Sequence, residues 1–279
     1  MANETTSSTI SELYTEIVAE ALFVASEQSI MRNLVRNYTI AGGGKSVEVP
    51  IYANVSAAAV NEATDLSNTA INPTSVTITA SEVGIMTTLT DLARNSASRN
   101  VAADIGRLFG EAIARKIDAD LSALFTGFST EKGPGAGNEI VVQDLFEAAA
   151  ELRTNNAPGP YYGVFHPKQI FNVKKTLTNT FVGRDTELSN EAMRTGFVGN
   201  IAGVQIFESS NISVDGSDDS IGGVFSQDAL ALAMMQDLKI ESQRDASLRA
   251  DELVATAVFG VSEIHDSYGV KITADTLAA

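Results

Sequence analysis

A stretch of alternating residues between positions 45 and 90 constrains the fold of this chain more than any other feature. It consists of KSVEVPIYANVSAAAV, the polar segment NEATDLSNTAINP and then TSVTITASEVGIMTTLT. The pattern predicts one two-stranded β-hairpin with arms of about fifteen residues, each extending on the order of 50 Å. An isolated ribbon of this kind is marginally stable and exposes unpaired backbone groups. We therefore expect it to lie on a neighbouring copy of the chain; the alternative is an ordinary hairpin within a β-sheet domain.

The apolar face of the second arm changes sides near Ser81. Apolar residues occupy even-numbered positions before it (Val76, Ile78) and odd-numbered positions after it (Val83, Leu89). Because side chains alternate between the two faces of a strand, this change predicts a bulge or a sharp twist near Ser81.

Composition limits the classes of protein to which the chain can belong. Its 279 residues include 35 acidic and 19 basic side chains, for a formal net charge of −16. This charge argues against a surface that neutralises nucleic-acid phosphates. The absence of cysteine excludes disulfides and thiolate metal sites. MANETTSSTISEL lacks the features of a signal peptide, and no apolar run approaches the roughly twenty residues of a membrane span, so we expect a protein made in the cytoplasm without membrane contact.

Helices and strands alternate without regular βαβ units, which predicts an α+β fold. A capping box at residues 9–12 begins an N-terminal helix, and apolar spacing predicts a second helix of about seven turns from Asn100 to Phe125. DLFEAAAELR predicts a third helix, and YYGVFHP predicts a buried strand followed by a helix that begins near Pro167. VGRDTELSNEAMRTG predicts an exposed loop, FVGNIAGVQIFES two short strands around Gly203, and the chain beyond Gly223 mostly strands.

The GGGKS segment is similar to the end of a phosphate-binding loop. The first glycine of that motif would fall at Thr39, however, and the strand-like VEVPIY follows where the motif needs a helix. We therefore interpret GGGKS as a flexible hinge at the base of the hairpin.

The two histidines, His166 and His265, are the strongest candidates for acid–base chemistry. His265 and Asp266 could supply a base and the group that orients it. A hydrolase is nevertheless disfavoured, because no G-x-S-x-G segment or cysteine supplies a nucleophile. We interpret His166 as a strand-end residue and His265 as a surface or interface residue.

Two groups of charged residues are interpreted as solvated. The turn VDGSDDS has oxygen ligands of the kind that calcium prefers, but it lacks the spacing of an EF-hand loop. The charges on the long helix are interpreted as an exposed face with local ion pairs; they are Arg115, Lys116, Asp118 and Asp120.

The joint order of these segments resembles the major capsid proteins of tailed bacteriophages, which share the Hong Kong 97-type fold. In that family an N-terminal arm, an extended loop, a spine helix and an axial domain follow one another, and the chain then returns to a peripheral domain. The segment from MANETT to Tyr38 resembles the arm, Lys45 to Thr90 the extended loop, and Asn100 to Phe125 the spine helix. The run from DLFEAAAELR to FNV and the segment TGFVGNIAGVQIFES are similar to parts of the axial domain, and FSQDALALAMM and SYGVKI to the late strands.

The resemblance implies a domain organisation for the whole chain. It predicts an N-terminal arm over 1–44, an extended loop over 45–90, a peripheral domain over 91–130 and about 229–262, and an axial domain over about 131–228 and 263–279.

The resemblance also implies a mechanical function without catalytic, cofactor-binding or metal-binding residues. Copies of the chain would form hexamers and pentamers of an icosahedral shell that encloses the DNA genome. The tip of the extended loop would contact a neighbouring subunit through eight residues: Val60, Asn61, Glu62, Asp65, Leu66, Asn68, Ile71 and Asn72. The alternatives are an encapsulin-type nanocompartment shell, which shares this fold but encloses enzymes, and the hydrolase that uses His265 and Asp266.

Other partners and the chemistry of the shell follow from the same resemblance. The arm begins directly at Met1, which predicts a separate scaffolding protein or simple self-assembly, and portal and decoration proteins are further possible partners. Some family members join a lysine of the extended loop covalently to an asparagine of a neighbour. The only lysine of this loop is Lys45, at its base, so we expect a shell held together non-covalently.

Overall fold

A computed structural model describes residues 29–41, 44–52, 55, 57, 59–61, 65, 68, 70–96, 101–181 and 199–276, with the backbone alone at 94–96, 101–103 and 176–181. The described strands are β1 (Arg36–Thr39), β2 (Ser46–Ile51), β3 (Thr74–Thr79), β4 (Ser81–Thr90), β5 (Glu131–Lys132), β6 (Tyr161–Phe165), β7 (Asn200–Ile201), β8 (Val204–Glu208), β9 (Asp219–Ser226), β10 (Leu230–Asp245), β11 (Ala250–Glu263) and β12 (Gly269–Asp275). The α-helices are α1 (Asp91–Ser96), α2 (Val101–Ala123), α3 (Val142–Thr154) and α4 (Pro167–Phe181).

The strands form two larger sheets and one two-stranded sheet. The first sheet has the order β1-β10-β11-β4, and the second has the order β5-β12-β9-β6-β8-β7. Among the described strands, β2 pairs only with β3. In the first sheet β10 pairs with β11 and β11 with β4 antiparallel, while β1 pairs with β10 parallel. The mixture of helices and antiparallel-rich sheets confirms the predicted α+β class.

The long helix α2 packs against the first sheet. Its buried residues Phe109, Ile113, Ile117 and Leu121 recur every four positions and so lie on one face. With 23 residues the helix is about 35 Å long, as the sequence predicts. A 3₁₀ turn over Leu124–Gly127 continues it toward the second sheet.

An aromatic cluster joins the end of the long helix to the second sheet. The rings of Phe125 and Phe225 have centroids 5.5 Å apart, and those of Phe125 and Phe128 lie 6.2 Å apart. All three side chains are fully buried. Burying a phenylalanine contributes roughly 1.5–3 kcal/mol, so this cluster is a principal part of the core that both sheets share.

The predicted pairing of the two hairpin arms is found between residues 46–51 and 74–79, and it is wrong for residues 81–90 of the second arm. β2 and β3 pair over six residues each, from Ser46 opposite Thr79 to Ile51 opposite Thr74. This ladder is on the order of 20 Å long, less than half of the predicted length. The rest of the second arm is β4, which pairs with β11 over its whole length and thereby satisfies its backbone groups within the first sheet.

The predicted change of face near Ser81 is confirmed. β3 ends at Thr79 and β4 begins at Ser81, and the N–H of Ala80 donates to the Lys45 carbonyl at an N···O distance of 2.8 Å. Ile78 is buried on one side of this break, and Leu89 is buried at an odd-numbered position on the other.

The other predicted elements divide into three groups. The structure confirms α3, β6, the helix that begins at Pro167, the two strands around Gly203 and the late strands. The sequence predicted only a polar segment after residue 90, whereas α1 forms there, and the Thr90 hydroxyl oxygen accepts the Ala93 N–H at its beginning, 3.2 Å away. The N-terminal helix with its capping box and the predicted loop over 182–196 lie outside the described residues.

Candidate assembly surface

The base of the hairpin rests on the first sheet through a small apolar cluster. Val49 of β2 and Ile78 of β3 are buried in it, together with Ala231 and Ala233 of β10. The small alanines allow the hairpin backbone to approach the sheet closely. The hairpin is therefore fixed at its base by the chain's own core.

Gly260 of β11 makes this approach possible. A Cβ atom at this position would lie 2.3 Å from the Thr79 carbonyl oxygen and 3.1 Å from the Ala80 nitrogen. These distances are shorter than van der Waals contact, and both atoms belong to the backbone, which cannot rotate away. Only glycine permits this crossing of β11 and β3 without a displacement of the hairpin.

The predicted tip residues that the structure describes are all exposed. Val60 has 49% of its surface accessible and Ile71 has 57%. Asn61, Asp65, Asn68 and Asn72 are also exposed, whereas Glu62 and Leu66 lie outside the described residues. The contact of this tip with a neighbouring subunit stays a prediction.

Two more apolar side chains are exposed between the ladder and the tip. Tyr52 has 62% and Val55 has 59% of its surface accessible. Together with Val60 and Ile71 they place apolar surface on both arms of the hairpin beyond its fixed base. We interpret these side chains as candidates for contact with another chain.

The edge strand β4 offers a second exposed surface. In the described part of the first sheet β4 pairs on one side with β11 and ends the strand order on the other. Met86 is 60% exposed on this strand, and Leu92 of α1 is 79% exposed just beyond it. A ten-residue edge with apolar side chains is a template for pairing with another chain.

The β10–β11 hairpin is a second long ribbon, which the sequence analysis missed. Its turn is organised by Asp245, whose Oδ1 accepts the N–H groups of Ser247 and Leu248 at 2.9 and 3.2 Å. Hydrogen bonds to the Ser247 hydroxyl and to these N–H groups lower the pKa of Asp245. Leu248 is 59% exposed at this turn. The sequence signal was the D-x-S turn pattern within a long strand-like run.

An ion-pair cluster ties this second ribbon to α1. The Arg244 guanidinium donates to both carboxylate oxygens of Asp91, at 2.8 and 2.6 Å, and to Asp251 at 3.2 Å. The two parallel bonds to Asp91 form a bidentate pair, which fixes orientation better than a single contact. The turn therefore has a defined direction relative to α1.

Asp118 of α2 is buried, which contradicts its interpretation as part of a solvated helix face. Its carboxylate accepts the Ser29 hydroxyl at 2.8 Å and the N–H groups of Ile30 and Met31 at 3.2 and 3.1 Å. Burial raises the pKa of Asp118, and these hydrogen bonds act in the opposite direction. The carboxylate thus holds the start of the described chain against the long helix. Its neighbours on the helix do form the predicted local pairs, with Lys116 Nζ 2.7 Å from Asp120.

The family described as "Phage capsid protein" matches residues 73–272. This match includes β3, β4, the long helix and nearly all of both larger sheets. The chain belongs to the phage capsid protein family. No curated protein matches the sequence.

Solved structures confirm that this phage capsid protein has the fold of known capsids. The cyanophage P-SCSP1u capsid is 20% identical, with 88% of each chain covered and a TM-score of 0.69. A Mycobacterium phage Che8 structure is 22% identical, with 82% of this chain and 84% of that chain covered and a TM-score of 0.64. The head structure of Helicobacter pylori bacteriophage KHP40 is 14% identical, with coverages of 87% and 88% and a TM-score of 0.67.

The His265–Asp266 pair of this capsid protein is not arranged as a base with its orienting carboxylate. Asp266 accepts the N–H of Ser129 at 2.7 Å and also the Ser129 hydroxyl. The His265 ring packs instead on Tyr268, with centroids 4.6 Å apart, and burial lowers its pKa while Asp228 opposes this. The other histidine, His166, lies between β6 and α4, as predicted for a strand-end residue.

The remaining candidate motifs of the capsid protein have structural explanations. Ser46 begins strand β2, so GGGKS does not lead into the helix that a phosphate-binding loop requires. In the acidic turn, Asp215 Oδ1 accepts the N–H groups of Ser217 and Asp219 at 2.8 and 2.9 Å. Among the described residues, no group of three or more His, Asp or Glu side chains is placed to hold a metal ion. No helix in the described ranges is long and apolar enough to cross a membrane.

Proposed function

We propose that copies of this capsid protein form hexamers and pentamers that close into an icosahedral shell around the DNA genome. The observation that supports this most directly is the hairpin, whose base is buried in the chain's own core while Tyr52, Val55, Val60 and Ile71 remain exposed beyond it. A neighbouring subunit would cover these side chains. Each square ångström of apolar surface that it covers contributes about 25 cal/mol.

The proposed contact site is the loop tip: Val60, Asn61, Glu62, Asp65, Leu66, Asn68, Ile71 and Asn72. In a closed symmetric shell every copy both gives and receives this contact, so a small free energy per contact is repeated over the whole assembly. Polar tip residues would determine the register of the contact, and the apolar ones would supply most of its affinity.

The domain organisation that we propose follows the two larger sheets. The arm would comprise residues 1–44 and the extended loop 45–90. The peripheral domain would contain the long helix and the β10–β11 ribbon, over 91–130 and about 229–262. The axial domain would contain the second sheet with α3 and α4, over about 131–228 and 263–279.

Enclosure of DNA would not require a sequence-specific binding surface. The net charge of −16 gives the shell no general attraction for phosphates. The genome would therefore be retained by closure of the shell rather than by adhesion to its wall. Nuclease-protected DNA in particles purified from infected cells would support enclosure, and particles that only bind DNA externally would contradict it.

Assembly in the host cytoplasm is proposed without a membrane or a cofactor. Scaffolding, portal and decoration proteins are the partners that we propose for a phage shell. The family match favours this function over the encapsulin-type compartment, and the same match provides no support for the hydrolase.

Deletion of residues 58–73, with the arms joined by a short glycine turn, tests the proposed role of the hairpin. The deletion leaves the β2–β3 ladder, which ends at Ile51 and Thr74, and removes no residue of α2 or the two larger sheets. We expect a soluble protein with near-native circular dichroism and cooperative melting that forms no closed shells.

The matched control replaces residues 58–73 with a glycine–serine segment of the same length. If tip side chains form the contact, this variant should fail to close shells as the deletion does. Normal shells from the deletion variant would show that the loop is not the interlocking device. An unfolded deletion variant would show that the tip belongs to the protomer core.

A further inference from the structure

A cleft lies between the C-terminal end of the long helix and the second sheet. On the helix side it is lined by Ala119, Ser122 and Ala123, and on the opposite side by Ile212 and Val214 of the segment between β8 and β9. Its volume is about 340 Å³. This space can hold several side chains but not a folded domain, since pockets for small molecules are typically about 300–1,000 Å³. We call it the helix cleft.

The carboxylates of the helix cleft are already engaged by the protein's own backbone. Asp215 Oδ1 accepts the N–H groups of Ser217 and Asp219 at 2.8 and 2.9 Å, and Asp219 Oδ1 accepts that of Gly137 at 2.7 Å. Apart from these carboxylates and one asparagine, the lining side chains are apolar or carry hydroxyl groups. The residues of the described chain that line the cleft include no lysine or arginine, so a buried anion would find no positive partner there. Uncharged apolar side chains fit this lining best.

The first described residues are anchored at one end of the helix cleft. The Ser29 hydroxyl donates to Asp118 Oδ1 at 2.8 Å, and the Asn211 amide nitrogen lies 3.5 Å from Asp118 Oδ2. Asn211 also lines the cleft, and the lining residues Ala119 and Ser122 follow Asp118 on the helix. The chain that precedes Ser29 therefore leaves the described structure beside the cleft.

The sequence just before Ser29 has the composition that fits the cleft. Residues 21–25 are ALFVA, which carry no charge and no side-chain hydrogen-bonding group. Thr126, the lining residue farthest from Asp118 along the helix, lies eight residues beyond it, or about 12 Å. Residue 21 is also eight residues from Ser29, so the segment can reach along the cleft whether it is helical, at about 1.5 Å per residue, or extended, at about 3.3 Å.

We propose that residues 21–25 dock in the helix cleft of the same chain, where their apolar side chains cover Ala123 and Val214. Attachment at Ser29 keeps this segment close to the cleft, so its effective concentration there exceeds that of the same segment from another copy. Docking removes apolar surface from water on both sides of the contact, which stabilises it. This inference concerns the single chain and does not depend on the proposed shell.

Thiol reactivity in the full chain tests whether the cleft is covered. The protein has no cysteine, so an introduced thiol is the only one present. Ala123→Cys places it at an exposed helix position within the cleft, and Leu248→Cys places it on the exposed β10–β11 turn. With residues 21–25 docked, Ala123→Cys should react with a maleimide about tenfold more slowly than Leu248→Cys, each rate being normalised to that of the urea-unfolded variant. Equal normalised rates would show an open cleft and overturn the proposal.

Phe23→Ser in the Ala123→Cys background identifies the segment that covers the thiol. It removes the largest apolar side chain of residues 21–25 and should bring the normalised reaction rate close to that of Leu248→Cys. Leu13→Ser is the matched control, because it makes a similar change farther from Ser29 and should leave the rate low. An unchanged rate in Phe23→Ser, or an equal rise in Leu13→Ser, would overturn the assignment of the cleft to residues 21–25.

Disulfide formation distinguishes the chain's own segment from that of a neighbour. Ala21→Cys, Leu22→Cys and Val24→Cys are each combined with Ala123→Cys and mildly oxidised. At least one pair should form a disulfide within a single chain, which changes its mobility on a non-reducing gel without doubling its mass, whereas the same partners combined with Leu248→Cys should form none. A disulfide that forms only between two chains would assign the cleft to a neighbour's segment and overturn the proposal. The absence of a disulfide in all three pairs would overturn it as well.

Discussion

At Gly260 the absence of a side chain determines where the hairpin lies on the first sheet. The neighbouring atoms are the Thr79 carbonyl and the Ala80 nitrogen, both in the backbone. Gly216 provides a contrast, because a Cβ added there meets no atom within 4 Å. The same substitution at the two positions therefore isolates the effect of the close approach.

Gly260→Ala should destabilise the chain by about 1–3 kcal/mol, because overpacking forces the backbone of β3 away from β11. Gly216→Ala should change the free energy of unfolding by less than about 0.5 kcal/mol. Urea denaturation measures both values. Equal midpoints for Gly260→Ala and the wild type would contradict the close approach on which the hairpin's position depends.

Asp118→Ala should lower the free energy of unfolding by about 1–3 kcal/mol, because the Ser29 hydroxyl and the N–H groups of Ile30 and Met31 would lose a buried acceptor. Asp120→Ala is the control, since its exposed pair with Lys116 is expected to contribute about 0–1 kcal/mol. Thermal denaturation measures the difference, and faster amide exchange at residues 30–34 in Asp118→Ala alone would locate it. Indistinguishable variants would show that the buried carboxylate does not anchor the start of the described chain.

The β2–β3 and β10–β11 ribbons differ in how many neighbouring strands pair with their backbone N–H and C=O groups. The β2–β3 ladder has six residues in each strand, and no third strand joins it among the strands that the structure describes. β10 and β11 have 16 and 14 residues, and each of them has a further neighbour in the first sheet. A two-stranded ribbon is marginally stable alone, so its opening should require less free energy than the opening of β10–β11.

Native-state hydrogen exchange of unassembled protein should therefore show lower protection at 46–51 and 74–79 than at 230–234 and 253–261. Contact with a neighbouring subunit should raise the protection of β2 and β3 more than that of the central strands. Equal protection of the two ribbons before assembly would contradict the view that the hairpin depends on a neighbour.

The spacing of apolar residues was sufficient to predict features that are defined within a single segment of the sequence. The long helix follows from Ile105, Ile117 and Leu121, which belong to a set of apolar residues at helical spacing. The break near Ser81 follows from the change of apolar side between Ile78 and Leu89. In both cases the signal is local, so a single sequence contains it.

Pairing partners and polar burial could not be predicted in the same way. The alternation in β4 is equally compatible with pairing to the first arm or to β11, because a strand pattern defines faces and not neighbours. Asp118 looks like any charged helix residue in sequence, and its burial depends on residues 29–31, which are distant along the chain.

The amino-acid sequence restricts how copies of the chain can be joined. There is no cysteine, and the only lysine between Arg36 and Arg94 is Lys45, which is exposed at the base of the hairpin. The loop tip therefore has no amine for a covalent bond to a neighbour. Subunits would be held by surface burial and hydrogen bonds alone.

Assembled material boiled in detergent should accordingly give a single band near the chain mass of 29.4 kDa on gel electrophoresis. Dissociation is expected because the detergent unfolds each subunit and no bond between chains survives. A ladder of multimers that resists detergent and heat would reveal a crosslink and contradict this prediction.

Electron microscopy of the purified protein under assembly conditions, combined with light scattering at micromolar concentration, tests whether copies of the chain assemble with one another. Capsomers or closed shells are expected, because another copy would cover the exposed hairpin and the β4 edge. A monodisperse monomer that forms neither capsomers nor shells would show that these surfaces are not assembly contacts.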